Sequence, residues 1–289
     1  MRGSYWRRTP ADREATMTHL QARAARAVVA IIAAGLVATA CTTVPITGRQ
    51  QLSLVPQSDL VIAATESYRE FLDKETVVSG GEAAARVEAV GRHVADAAER
   101  FLREEGLAGE LRHYDWQFSL IQDDETINAF CMPGGRIAVY TGLMPVARDE
   151  SGLAVVVAHE VAHAIANHSG ERMSQLLVAE LGGMALTSAI EEKPAETREL
   201  LMLAYGIGAN VGVLLPYSRQ HESEADRIGL TLMAMAGYDP REAIPLWERM
   251  GEVGGELPPE FLSTHPHPST RIEEIREHLP EALGRYEGR

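Results

Sequence analysis

Residues 151–168 read SGLAVVVAHEVAHAIANH, an apolar segment that carries the pattern H-E-x-x-H at His159, Glu160 and His163. The segment predicts a helix, in which residues four apart lie on one face, so both imidazoles can face a single metal ion. Glu160 lies about a quarter-turn from His159 and can reach a water molecule at that metal. Two histidines, one carboxylate and an open position are typical of hydrolytic zinc sites.

A third ligand is expected downstream, because H-E-x-x-H supplies only two. Residues 217–229 read YSRQHESEADRIG and predict a second helix, on which Glu222 and Asp226 lie one turn apart. Glu222 can therefore bind the metal, while Asp226 orients a histidine from outside the ligand set. On spacing alone, Glu224 and His221 remain less favoured alternatives.

The residues just after the motif argue against a third histidine ligand there. Ser169 occupies the position, six residues after His163, where a metzincin has its third histidine. His168 comes one residue too early and points away from the face of His159 and His163. We expect His168 to lie at the surface or to support a ligand from outside.

The order of predicted elements indicates an α+β fold that is mainly helical. Two helices, over 58–74 and 81–105, precede a strand over 115–121 and a hairpin over 127–143 that turns at Pro133-Gly134-Gly135. After this hairpin the chain is mostly helical. The helices predicted there cover 151–169, 171–190, 196–214, 219–236, 240–251 and 268–278.

The N-terminal residues carry the pattern of an export signal. Residues 27–40 read AVVAIIAAGLVATA and follow Arg23 and Arg26, as in the apolar core and basic start of a signal peptide. The run ends at Ala40-Cys41 and resembles a bacterial lipoprotein signal, in which Cys41 is lipidated and anchors the mature chain. An ordinary cleaved signal and a short membrane anchor are the alternatives.

Composition and net charge argue against some classes of protein. The chain has 289 residues and a formal net charge of −14, which argues against a nucleic-acid partner, since phosphate binding needs a basic surface. Two cysteines exclude a disulfide framework. The expected location, the bacterial periplasm with a lipid anchor, therefore rests on the signal alone. Thr42 in place of Asp favours the outer over the inner membrane.

Several separated motifs resemble one known family. They are HEVAH at 159–163, ESEAD at 222–226, the hairpin INAFCMPGGRIAVYTGL at 127–143, THP at 264–266 and PITGRQQL at 45–52. Together they resemble the gluzincin zinc metalloendopeptidases that include HtpX and the CAAX prenyl proteases. Within that family they are similar to the bacterial periplasmic lipoprotein branch, in its compact form without a repeat domain.

The resemblance implies a zincin-like catalytic domain with a small antiparallel sheet packed on the H-E-x-x-H helix. It also implies one Zn²⁺ per chain, bound by His159, His163 and Glu222, with Glu160 as the general base. The expected organisation is then a lipoprotein signal peptide over 1–40 (with Met17 as an alternative start), a lipid-anchored tether over 41–57 and a zinc metallopeptidase domain over 58–289.

Unfolded or extended polypeptide is the expected substrate, bound as an added strand, because backbone pairing tolerates many sequences. The exposed edge is expected from the second hairpin run, Arg136–Tyr140, or from the first, Ile127–Cys131. An interior hairpin without a ligand role is the alternative. The residues predicted to contact substrate are Asn128, Arg136, Ile137, Ala138 and Val139.

A histidine loop precedes the last helix. His265 lies in the stretch STHPHPST, and its place in the THP motif suggests that it occupies the fourth position of zinc as a gate, or donates to the oxyanion. Tyr217 and Arg219 are the other candidates for the oxyanion donor. The alternative is a loop histidine that only caps or packs.

The sequence therefore predicts a zinc-dependent metalloendopeptidase that degrades misfolded or unassembled cell-envelope proteins. The alternative function is an envelope chaperone or assembly factor on the same fold, with secondary or gated proteolysis. Membrane contact through lipidated Cys41 is expected in both cases.

Overall fold

The computed structural model describes residues 41–191, 193–209, 215–253, 261 and 268–286. The chain forms two compact units, Met1–Thr42 and Thr43–Arg289. The signal peptide predicted over 1–40 lies outside the described residues. The second unit contains the helices and the sheet that hold the candidate site.

Helices make up most of the second unit. Those in the described residues are α1 (Gln57–Leu72), α2 (Gly81–Glu104), α3 (Met144–Ala147), α4 (Glu150–Ile165), α5 (His168–Ala189), α6 (Ala195–Ala209), α7 (Leu215–Met235), α8 (Ala243–Glu252) and α9 (Pro268–Leu283). The strands are β1 (Cys41–Thr43), β2 (Gln50–Leu52), β3 (Gln117–Ile121), β4 (Ala129–Met132) and β5 (Arg136–Tyr140). Each helix and strand predicted from the sequence has a counterpart, with ends that differ by a few residues.

One predicted helix, over 151–169, ends early and is followed at once by another. Helix α4 begins after Asp149, whose carboxylate accepts a hydrogen bond from the amide of Gly152 at 2.9 Å and so caps the helix. The chain leaves helical geometry at Asn167, where φ is +53°, in a left-handed conformation that asparagine tolerates better than most residues. Helix α5 then starts at His168, so this side chain does not continue the helical path of α4.

The three-stranded sheet has the order β3-β5-β4. Strand β5 pairs antiparallel with β4 through the predicted hairpin and parallel with β3. Gly134 and Gly135 in the turn have φ of +89° and +80°, which glycine adopts without strain. The fold class, mainly helical α+β with a small sheet, is confirmed. The sheet is mixed, however, because the central strand β5 has a parallel neighbour, β3, on one side and an antiparallel neighbour, β4, on the other.

Helix α4 lies at the centre of the fold. Every residue from Gly152 to Ala162 is buried, and the helix packs against α2, α7 and β4. A helix that is apolar on all sides is stable only when other elements surround it. His159 and Glu160 therefore lie inside the core, where each needs a partner, and His163 lies at its border with 11% of its side chain exposed.

The part of the expected tether that follows residue 42 packs on the domain, and the lipid anchor itself stays a prediction. Val44 leaves 1% of its surface exposed and belongs to the main apolar core. Arg49 lies 2.6 Å from a carboxylate oxygen of Glu171 on α5 and 2.7 Å from one of Glu224 on α7. Apolar burial and a guanidinium between two carboxylates hold the segment in place.

Exposed large apolar side chains concentrate on α5 and α6. They are Met173, Leu176, Leu177, Val178, Leu181, Met184, Leu200, Leu201 and Leu203. Among the described residues, no helix combines the length and the apolar character that crossing a membrane requires.

Candidate metal centre

Two helices bring three ligand groups together. Helix α4 supplies His159 and His163, and α7 supplies Glu222, the acid that spacing favours. The two Nε2 atoms lie 3.1 Å apart. The oxygens of Glu222 lie 3.3 Å from Nε2 of His159 and 3.4 Å from Nε2 of His163. The ligand atoms of the three residues all lie within 4.8 Å of one another.

This donor set fits zinc. Two imidazole nitrogens and one carboxylate oxygen are ligands that zinc prefers in catalytic sites. Tetrahedral zinc with bonds of about 2.0–2.1 Å places neighbouring ligand atoms about 3.3 Å apart. The separations of 3.1, 3.3 and 3.4 Å lie close to that value, the last two being to different oxygens of Glu222. Among the residues that the structure describes, this is the group of metal-binding side chains close enough to share one ion.

Glu160 lies between the motif helix and the sheet. Its side chain is buried, and Oε2 accepts a hydrogen bond from the amide of Cys131 on β4 at 3.1 Å. Burial, followed by the charge of Glu160, raises the pKa of the Cys131 thiol well above its usual value. A thiolate is therefore disfavoured at Cys131, beside the carboxylate of Glu160.

His159 is held by a carboxylate and an arginine. Its Nδ1 lies 3.0 Å from Oδ1 of Asp226, as spacing suggested. Arg271 on α9 forms two hydrogen bonds with Asp226, at 2.7 and 2.5 Å, and its guanidinium carbon lies 3.6 Å from the ring centroid of Trp247. Burial and Arg271 lower the pKa of His159, but hydrogen bonds with Asp226 and Glu222 outweigh them and raise it to about 9. Burial alone favours a neutral Asp226, yet Arg271 keeps the pKa of that carboxyl below its usual value.

His163 is held differently. Its Nδ1 lies 2.8 Å from Nδ1 of His168, whose Nε2 lies 3.3 Å from Oε2 of Glu224. His168 is buried, so the expected surface position is wrong and the expected support of a ligand is what the geometry offers. Burial outweighs the neighbouring carboxylate and lowers the pKa of His168 to about 4. Neither Glu224 nor His221 joins the group of candidate ligands.

The predicted substrate residues of β5 do not form an edge. Strand β5 is paired on both sides, so the expected exposed edge over Arg136–Tyr140 is wrong, and this excludes Arg136, Ile137, Ala138 and Val139 as backbone partners of an added strand. Strand β4 is the outer strand beside Glu160. Asn128, just before β4, is buried and accepts a hydrogen bond from the amide of Ala129 at 2.9 Å, which is a local backbone role.

Some predicted residues cannot be placed. His265 lies outside the described residues, and the side chains of Cys41 and Tyr217 are also outside them. Arg219 is exposed on α7. The gate, oxyanion and lipidation roles stay predictions.

Sequence reasoning missed the two arginines of the site. Arg271 and Arg49 lie far from both helical motifs along the chain, and no spacing rule connects them to His159 or His163. Arg49 lies in PITGRQQL, a motif that contributes to the family resemblance and to the predicted tether but gives no role to Arg49 itself.

The comparisons with known proteins agree with this geometry. The sequence pattern of peptidase family M48 matches residues 83–279. The chain is 34% identical over 243 residues to the mitochondrial metalloendopeptidase OMA1 of Schizosaccharomyces pombe, over 83% of this chain and 66% of the relative. It is 31% identical over 247 residues to OMA1 of Homo sapiens, over 83% and 46%. It is 32% identical over 165 residues to the beta-barrel assembly-enhancing protease of Escherichia coli K12, over 56% and 34%.

These relatives refine the resemblance seen in the sequence. HtpX and the CAAX prenyl proteases describe the family more coarsely than OMA1 and the E. coli protease do. The chain spans about two thirds or less of the length of these curated relatives. The expectation of a metalloendopeptidase is confirmed at the level of the family, since the matched pattern covers more than half of the sequence. The chain belongs to peptidase family M48.

Proposed function

We propose that the protein is a zinc-dependent metalloendopeptidase. The observation that carries this proposal is the convergence of His159, His163 and Glu222 within 4.8 Å, with the buried carboxylate of Glu160 next to His159 in sequence. A metallopeptidase needs three protein ligands, an open position and a base, and these residues supply all of the protein groups.

The chemistry follows from the position of Glu160. When bound, zinc polarises the scissile carbonyl and lowers the pKa of water from about 15.7 towards 7. The carboxylate of Glu160 accepts the proton of the attacking water and then delivers it to the nitrogen of the leaving amine. The hydrogen bond from the Cys131 amide, 3.1 Å long, orients this carboxylate at the edge of the sheet.

An extended polypeptide is the substrate that this edge suits. Strand β4 is the outer strand of its sheet, and the amide of Cys131 turns away from β5 towards Glu160. A peptide paired along β4 would pass directly beside the base, held mainly by backbone hydrogen bonds. Such binding depends little on sequence, as a protease for unfolded chains requires.

We infer that these chains are misfolded or unassembled cell-envelope proteins. The signal-like residues before Cys41 support export and lipid anchoring in a bacterial periplasm, on the outer more than the inner membrane because Thr42 follows the cysteine. The E. coli relative is named for enhancing assembly of β-barrel proteins. An envelope chaperone or assembly factor with gated proteolysis is the second candidate, favoured by the same relative's name.

The test is a comparison of the full chain with Glu160→Gln. Wild type should bind one zinc ion per chain and cleave an unfolded protein such as reduced casein. Glu160→Gln should bind zinc equally and lose at least about 10²–10⁴-fold in cleavage rate, the usual contribution of a general base. Equal zinc with equal, negligible cleavage in both proteins would favour the chaperone. Absence of bound zinc in wild type would overturn the metalloendopeptidase proposal.

A further inference from the structure

A buried charged cluster lies beside the metal centre, outside its ligand set. It joins α5, α7 and the segment that follows residue 42. Four of its side chains, Glu171, Glu224, His168 and His221, are exposed by 6% or less. The fifth, Arg49, exposes 12% of its side chain. Charges buried to this degree are costly unless they are paired and hydrogen-bonded.

Arg49 is the centre of the cluster. Its two terminal nitrogens donate to both oxygens of Glu171, at 2.8 and 2.6 Å. Its Nε donates to Oε2 of Glu224 at 2.8 Å, and Thr47 donates to the other oxygen of Glu224 at 2.6 Å. Glu171 is also 2.8 Å from Nε2 of His221. One guanidinium thus fixes two carboxylates on two different helices.

Glu224 connects Arg49 to the candidate metal ligand His163 through His168. Oxygen Oε2 of Glu224, which Arg49 holds, lies 3.3 Å from Nε2 of His168, and Nδ1 of His168 lies 2.8 Å from Nδ1 of His163. His221 stacks on the ring of His168 with 4.3 Å between centroids, which restricts how that ring can turn.

The hydrogen bonds between His163, His168 and Glu224 determine which ring nitrogen of each histidine carries the proton. A neutral imidazole carries one proton, and two facing nitrogens form a hydrogen bond only when one of them holds it. If Nε2 of His163 binds the metal, its Nδ1 holds the proton and donates to Nδ1 of His168. The proton of His168 must then lie on Nε2, where the carboxylate of Glu224 accepts it.

We propose that Arg49 is a positioning residue for the zinc site, which acts through Glu224 and His168 to hold His163 with Nε2 towards the metal. The inference rests on the proposed zinc site and adds to it a role for the N-terminal segment. Groups that orient a metal-bound histidine in this way change metal affinity by about 10–100-fold when removed.

The test measures zinc affinity in the full chain by competition with a chelator, together with the visible absorption of the Co²⁺-loaded protein. Arg49→Met removes the positive charge at the centre of the cluster. Arg49→Lys keeps a positive charge but lacks the planar guanidinium that binds both oxygens of Glu171. Glu224→Met removes the acceptor that faces His168 and leaves Arg49 paired with Glu171. Glu224→Gln can keep an oxygen towards His168 and serves as the matched control. Unfolding of each metal-free variant in urea separates a folding defect from a change at the site.

We expect Arg49→Met and Glu224→Met each to weaken zinc binding by about 10–100-fold and to shift the Co²⁺ spectrum. Arg49→Lys and Glu224→Gln should recover much of the affinity. Because both residues act along one route, the double variant should bind zinc no more weakly than the worse single variant.

Unchanged affinity and an unchanged Co²⁺ spectrum in folded Glu224→Met would overturn the proposal. Additive losses in the double variant would overturn it as well. Absence of zinc in wild type would instead remove the proposed function, so the two failures can be told apart. If Arg49→Met does not fold, Glu224→Met and Glu224→Gln decide the question.

Discussion

The two candidate histidine ligands are one helical turn apart, yet they are supported in different ways. His159 meets a carboxylate directly, with its Nδ1 at 3.0 Å from Asp226. His163 meets another imidazole first, at 2.8 Å, and a carboxylate only beyond it. Support through a direct carboxylate needs one residue on α7. Support through His168 needs residues from α5, α7 and the N-terminal segment to meet.

Both routes end in an arginine from outside the two ligand helices, but the two arginines differ in burial. Arg271 exposes 3% of its side chain and also lies 3.4 Å from Glu222. Arg49 exposes 12%. Ionic interactions are stronger where water is excluded. Removal of Arg271 should therefore lower the free energy of unfolding more than removal of Arg49.

The largest effect is therefore expected from Arg271→Met. Removal of this guanidinium takes from the buried carboxylates of Asp226 and Glu222 the cation that they share, leaving His159 beside them, and breaking a buried pair in this way costs about 3–5 kcal/mol. Urea unfolding of the metal-free protein should show that loss. Added zinc should recover part of it, because a bound cation stabilises the folded state.

Arg271→Lys is the matched control, since it keeps the charge but not the two parallel hydrogen bonds to Asp226. The free energy of unfolding of Arg271→Lys should lie between those of wild type and Arg271→Met. A loss below about 1 kcal/mol for Arg271→Met, within the range of an ordinary surface pair, would contradict the larger role given to the His159 side.

A smaller effect should appear on the His163 side in acid. Burial alone would raise the pKa of Glu171, but hydrogen bonds from Arg49 and His221 outweigh it and lower the pKa from 4.5 to about 2. A carboxyl group with a lowered folded-state pKa stabilises the fold above its unfolded pKa and loses this contribution as pH falls through the folded value. The stability difference between wild type and Glu171→Gln should thus be largest above pH 4.5 and shrink towards pH 2.

Urea unfolding of both proteins at a series of pH values gives this difference directly. Glu88→Gln is a suitable control, since Glu88 pairs with Arg92 on the exposed face of α2 with 46% of its side chain accessible. If the stability difference between wild type and Glu171→Gln stays constant from pH 5 to pH 2, Arg49 and His221 do not lower the pKa of Glu171.

The contrast between the two sides also explains what the sequence could predict. His159, Glu160 and His163 follow from spacing within one helix, and Glu222 and Asp226 from spacing within another, because helical periodicity is local. The position of His168 depends on the left-handed residue Asn167, which ends α4 early. The role of Arg49 depends on tertiary contacts 122 and 175 residues away in sequence.

The edge strand of the sheet stayed open between the two hairpin runs for a related reason. Periodicity identified both hairpin strands, but the choice of edge depends on which strand a third one joins. Strand β3 pairs with β5, so β4 and not β5 remains at the edge beside Glu160. The partner of a strand is a property of the whole fold, and no pattern within residues 127–143 specifies it.

The smallest effect should come from Arg227→Ala, which sharpens the contrast between burial and mere pairing. Arg227 joins the same two helices as Arg271, through hydrogen bonds to Glu281 at 3.0 and 3.2 Å. The two side chains expose 30% and 48% of their surfaces, so water screens the pair. Its removal should change the free energy of unfolding by no more than about 0.5 kcal/mol and leave zinc affinity unaltered. A loss as large as that of Arg271→Met would mean that the α7–α9 contact itself, rather than the desolvated guanidinium beside Asp226, supports His159.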